Sequence, residues 1–206
     1  MGSIYMNIEK VLESFRENQF NAVYFDTKNE ACEYLNEKID NTTVAYGGSM
    51  TISEMELLPL LEKHNEIFSH WSAPVGMTVE DAMVKAASTE VYLTSANAAT
   101  ENGELVNIDG NGNRVSSTLF GHKKVYFILG INKFEENLEK AIWRARNIAS
   151  PLNAQRLKRN TPCAAKGDKC YDCSSPERIC RGLVVHYKKM SSCDIEVVIV
   201  GEKLGF

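Results

Sequence analysis

Short runs of β-branched and aromatic residues alternate along this chain with segments whose apolar residues recur at helical spacing, and this alternation narrows the possible folds more than any single motif. Ala22–Phe25, Thr43–Tyr46, Glu90–Thr94 and Lys124–Leu129 read as strands. Before and between them, Ile8, Val11, Leu12 and Phe15 mark one helix, Ala31, Cys32 and Leu35 a second, and Met55, Leu58 and Leu61 a third. Thr78 with Asp81 resembles a capping box that opens a fourth helix through Val79, Ala82, Met83 and Ala86. The pattern predicts an α/β fold: a mainly parallel sheet flanked by helices, with ligands bound at the carboxyl ends of the strands. The loops after Tyr46, Thr94 and Leu129 lie at those ends.

Other segments are read in the same way. Ile67–Trp71 is expected to be a further short strand, and Ser95–Gly103 a loop of small residues. Leu105–Ile108, the turn Asp109–Asn113 and Arg114–Val115 predict a hairpin, because Gly and Asn tolerate positive φ. After Gly130-Ile131-Asn132-Lys133 a long helix is expected, with Phe134, Leu138, Ala141, Ile142, Ala145 and Ile148 on one face. Periodicity lapses over 151–181 and returns in the strands Leu183–Tyr187 and Ile195–Val200. The cysteine-rich stretch 160–182 is therefore expected to be an insertion or lid within one domain spanning 1–206.

Composition sets outer limits. At 206 residues, 44% hydrophobic and 24% charged, the chain can bury a core and is neither low-complexity nor wholly disordered. No apolar run approaches the roughly 18 residues that cross a bilayer, so no membrane insertion is expected. Met1–Asn7 lacks the basic and apolar regions of a signal peptide, and a cytoplasmic location is expected. A net charge of −4 and a pI near 5.7 give no overall field for nucleic acid. The basic stretch Arg144, Arg146, Arg156, Lys158, Arg159, Lys166 and Lys169 is either a solvated face or a patch for an acidic partner or phosphate.

Three constellations bear on chemistry. Gly47-Gly48-Ser49-Met50-Thr51 precedes a helix, where backbone N–H groups, the Ser49 and Thr51 hydroxyls and Glu54 would address a small anionic ligand, or else form a plain capped turn. Glu101-Asn102-Gly103 follows the loop containing Asn97; Glu101 is a candidate nucleophile or general base and Gly103 allows an N–H to face an oxyanion, or the three form an ordinary turn. Cys163, Cys170, Cys173 and Cys180 are spaced as four ligands for an iron–sulfur cluster or a zinc ion, or are metal-free thiols, with Cys193 a substitute ligand. Cys32 reads as core. His64, His70, His122 and His186 show no metal-type spacing, although His70 and His122 remain possible site residues.

Taken together, Gly47–Glu54, Asn97–Gly103, Asp109–Arg114 and Gly130–Lys133, in this order over about residues 5–206, resemble the lactate-utilisation domain (LUD) family, with the tail resembling a cysteine-bearing branch. The resemblance implies a fold similar to ribose-5-phosphate isomerase and the CoA transferases. It implies a role in the oxidation or utilisation of lactate or a related small acid, together with oxidoreductase partner proteins. Glu101 matches the Glu-Asn-Gly letters of the CoA-transferase nucleophile, so a self-sufficient enzyme acting on a CoA thioester or sugar phosphate is the rival reading, with Arg114 or Lys133 steadying negative charge. Asn97 and Asn132 fall in the same motifs as ligand-binding candidates. The chain lacks the repeated ferredoxin motifs of larger iron–sulfur members. A third reading is a binding module with a zinc-stiffened lid, and a homo-oligomer is compatible with all three.

Overall fold

A computed structural model describes residues 6–69 and 76–206. In chain order its elements are α1 (Ile8–Glu17), β1 (Asn21–Phe25), α2 (Lys28–Lys38), β2 (Thr43–Tyr46), α3 (Met50–Met55), α4 (Leu58–Leu61), β3 (Glu66–Phe68), α5 (Val79–Ala86), β4 (Val91–Thr94), β5 (Ala98–Thr100), β6 (Leu105–Asp109) and α6 (Asn113–Leu119). There follow β7 (Lys124–Gly130), a 3₁₀ turn (Ile131–Lys133), β8 (Phe134–Glu135), α7 (Leu138–Arg144), a π-helical turn (Ala145–Ala149), α8 (Ser150–Arg156), α9 (Pro162–Lys166), β9 (Gly182–His186) and β10 (Asp194–Val200).

Six parallel strands form the main sheet in the order β1-β10-β7-β4-β2-β3. The α/β expectation is met. Period-2 alternation sends Val125, Phe127, Leu129, Ile195, Val197 and Ile199 to one face, against Val11 and Phe15 of α1. Tyr126, Ile128, Val198 and Val200 point to the other, against Leu35 of α2, Ile52 of α3 and Leu61 of α4. A second sheet, β8-β5-β6-β9, packs Ala98 and Val106 on Ala141 and Ala145 at the α7 side.

Several boundaries differ from the sequence reading. The hairpin is absent: β6 runs through Asp109, whose carboxylate accepts from the N–H groups of Asn111, Gly112 and Val115 and so opens α6, placing Arg114 and Val115 on a helix. Gly112 takes φ 84° to enter that helix. The Ser95–Gly103 loop contains β5, which is paired on both sides. Phe134 lies on β8 instead of opening the long helix, and that helix continues past Pro151 because the wider π turn precedes it, with Ser150 donating back to Ala145 O. The third expected helix breaks in two where Glu56 adopts φ 56°, with Pro59 in the first turn of α4. Strand β3 ends at Phe68 and Ser69 follows it as a single bridge residue, while His70 and Trp71 of the expected Ile67–Trp71 strand lie outside the described residues.

Candidate functional site: a strand-end cleft beside a cysteine cavity

Three loops leave the carboxyl ends of the neighbouring strands β2, β4 and β7 and meet in a polar cleft. Its inner part is lined by Gly48, Ser49, Ser95, Asn97, Arg114 and Lys133, closed by Ala149 and Asn153 of the long helix and by Phe206. Gly47 gives the first loop its path: a Cβ there would lie 2.7 Å from Tyr92 Oη and 3.3 Å from Arg114 Cγ. Ser49 caps α3 by accepting from Ile52 N at 3.4 Å. The Asn97 side-chain oxygen accepts from Ile108 N and Arg114 Nη2, at 2.7 and 3.1 Å, which leaves its amide nitrogen as the donor available to the cleft.

Lys133 is the decisive group. The 3₁₀ turn after β7 folds its side chain inward until only 4% is exposed, and Nζ donates to Ala96 O at 3.2 Å. Burial, reinforced by the Arg144 and Arg114 cations and opposed only by Glu54, pushes its pKa down to about 7. Both arginines are themselves committed. Arg114 donates to Ser95 O, the Asn107 side chain, Asn97 and Ile108 O, with Asp109 3.6 Å from Nε. Arg144 is held by Asn132 O, Asn97 O and Phe206 O, with Glu135 3.9 Å away. The cations are solvated mainly by backbone carbonyls, so the cleft floor keeps positive charge for an anion.

The cleft widens past Gly48, Asn97, Arg114 and Asn153 toward Asp109, Asn111, Arg156 and Arg159. Ser150 and Ile179 belong to this outer part and also line a cavity that Cys163, Cys170, Cys173 and Cys180 all line. Asp172 N donates to Cys170 Sγ at 3.3 Å, Arg178 Nη2 to Cys180 Sγ at 3.4 Å, and Thr161 Oγ1 sits 3.3 Å from Cys163 Sγ. Among the described residues, no three His, Cys, Asp or Glu side chains gather closely enough to hold a single metal ion. Cys193, the expected substitute ligand, is instead packed in the core with Val125 and Ile195, and Cys32 is core as expected.

The remaining candidates lie elsewhere. Thr51, Glu54 and Asn132 grip the chain after β10: Thr51 Oγ1 bonds Leu204 O, Glu54 accepts from Gly205 N, and Asn132 bonds both Leu204 N and Gly205 O. Glu101 and Gly103 form a turn beyond the far end of β5, so its three residues put about 10 Å of extended chain between Asn97 and Glu101. That turn packs on α1, where a Cβ on Gly103 would meet the Ser14 and Phe15 backbone at 2.7–2.8 Å. His122 and His186 are buried against Thr89 O and Thr118 O, and burial lowers the pKa of each. Ser95, Arg144 and Asn153 were not singled out as site residues by the sequence. Arg144 carried only the signal of a basic run, and Asn153 follows a proline that concealed its helix.

The family model described as LUD domain matches residues 8–200. A DUF162 family protein from Deinococcus radiodurans superposes with a TM-score of 0.53 at 10% identity, over 94% of this chain and 96% of that one, which shows a shared fold. Ribose 5-phosphate isomerase A from Neisseria gonorrhoeae is similar at TM-score 0.36 and 18% identity, over 54% of each chain. Ribose 5-phosphate isomerase from Plasmodium falciparum is similar at 0.33 and 17%, over 53% of this chain and 52% of that one. No curated protein matches the chain.

Proposed function

The chain belongs to the LUD domain family, and on that premise we propose that it serves the utilisation of lactate or a related small 2-hydroxy acid by holding the acid anion in the strand-end cleft. The observation that carries this reading is Lys133, a buried amine at the cleft floor whose pKa is pushed down to about 7 with two arginines beside it. A carboxylate arriving there restores the ammonium and gains a charge-assisted hydrogen bond. Ser49, Ser95 and the Asn97 amide then supply donors for the remaining oxygens, and Gly48 lets the ligand approach the backbone closely. Glu101 has no part in this arrangement. The redox step belongs to an oxidoreductase partner, and the cysteine cavity next to the cleft is the place for the metal centre that the cysteine spacing suggests.

Calorimetric titration of the full chain with lactate, glycolate and their 2-oxo acids tests the reading. Binding of at least one acid, lost in Lys133→Met, is expected. Absence of binding by every acid, or equal binding by the folded variant, would overturn it.

A further inference from the structure

We propose that the cysteine cavity binds a four-iron, four-sulfide cluster, with Cys163, Cys170, Cys173 and Cys180 each holding one iron. This rests on the four thiols being metal ligands and is independent of acid binding in the cleft. The first observation is convergence with separation. All four cysteines line one cavity, yet among the described residues no three side chains of ligand type gather as a single ion demands. A zinc ion draws each sulfur to about 2.3 Å, so its four sulfurs crowd to about 3.8 Å from one another. In a cubane each thiolate binds a different iron at a different corner, and the sulfurs stand apart around a shared centre.

The second observation is the set of groups turned toward the sulfurs. Asp172, between the central pair, takes φ 43°, and its N–H points back at Cys170 Sγ at 3.3 Å. Arg178 donates to Cys180 Sγ at 3.4 Å and to the backbone oxygens of Cys173 and Cys180, while Arg146 Nη2 lies 4.0 Å from Cys170 Sγ. The Asp172 carboxylate, 3.2 and 3.6 Å from these guanidinium groups, opposes them. Four thiolates on a cubane leave the complex anionic, and two cations with N–H···S bonds stabilise that charge and favour the reduced form. Pro151, Ala154 and Ile179 add apolar wall to a cavity whose cysteines are partly exposed. Through Ser150 and Ile179 the cavity shares a wall with the outer part of the cleft, past Asn153 from the inner part that Lys133 lines.

The test is anaerobic reconstitution of the full chain with ferrous iron and sulfide, with zinc alone as a separate arm. The expected result is about four irons and four sulfides per chain, a visible absorbance bleached by dithionite, and a one-electron paramagnetic signal on reduction. Cys170→Ser and Cys173→Ser should lose the iron. If these variants do not fold, Arg178→Met provides the second readout: it keeps the cluster but moves the reduction potential to a more negative value, because a cation facing the reduced centre is removed. Stoichiometric tight zinc without retained iron, two irons per chain, disulfides with no iron after anaerobic purification, or equal iron in folded Cys170→Ser would each overturn the assignment. A chain that assembles the cluster and binds no acid would refute only the cleft reading.

Discussion

Replacing Lys133 with Met should raise stability in a pH-dependent way that can be worked from the structure. The amine is 4% exposed and its pKa falls from 10.5 in the ordinary state to about 7 in the fold. Between those values the unfolded chain binds the proton and the folded chain does not, so the wild type becomes more stable as pH rises through that window. Below pH 7 both states are protonated, and the folded protein carries the full penalty of a buried ammonium. Each pH unit above about 7 relieves about 1.4 kcal/mol, so the wild type gains about 3 kcal/mol relative to Lys133→Met between pH 6 and pH 9. The variant has no such group, and the titrations of other residues cancel in the difference. Urea unfolding of both proteins at the two pH values, with the slope m checked for constancy, measures it. A difference that stays the same at pH 6 and pH 9 would refute the buried-amine account.

Acid affinity should be flat below pH 7 and fall toward tenfold per pH unit above it, with proton uptake on binding, because the anion selects protonated Lys133; titrations in buffers of different ionisation enthalpy read both. Gly48→Val should abolish acid binding in a protein that still folds, whereas Gly47→Ala should cost about 1–3 kcal/mol in urea unfolding, since its Cβ would press on Tyr92 Oη at 2.7 Å. Arg114→Met should cost about 3–5 kcal/mol in the same assay, because it strands the partly buried Asp109 carboxylate and the Ser95 and Ile108 carbonyls that the guanidinium now bridges.

The central strands were legible because their apolar runs are long and β-branched: Lys124–Leu129 and Ile195–Val200 are β7 and β10, paired in parallel along their length. Thr43–Tyr46 followed by the glycines and Ser49 was legible for the same reason, with a capping serine to open the helix. Local letters misled where tertiary partners decide conformation. Asp109–Asn113 has hairpin chemistry, but the Asp109 carboxylate satisfies the first N–H groups of a helix instead. Pro151 suggested an end that the π turn removes. At the site, Lys133 was visible as a cation in a strand-end loop, but its burial depends on Ala96 and Arg144, which are distant in sequence. Arg114 was visible too, and folding assigns its donors to the protein's own oxygens. Glu101 has letters suited to a nucleophile, but β5 carries it away from the cleft. The four cysteines declared their grouping by spacing, while their shared wall with the cleft required α8 and Ile179 to be placed.

The most direct test of the cleft's function is an NMR titration of the Lys133 side chain in protein carrying ¹³Cε-labelled lysine, its signal assigned by its loss in Lys133→Met, with and without lactate or whichever acid binds. The account predicts a midpoint of about 7 in the free protein and a clear upward shift when the acid is bound. A midpoint at the ordinary lysine value, or one that no small acid moves, would contradict it.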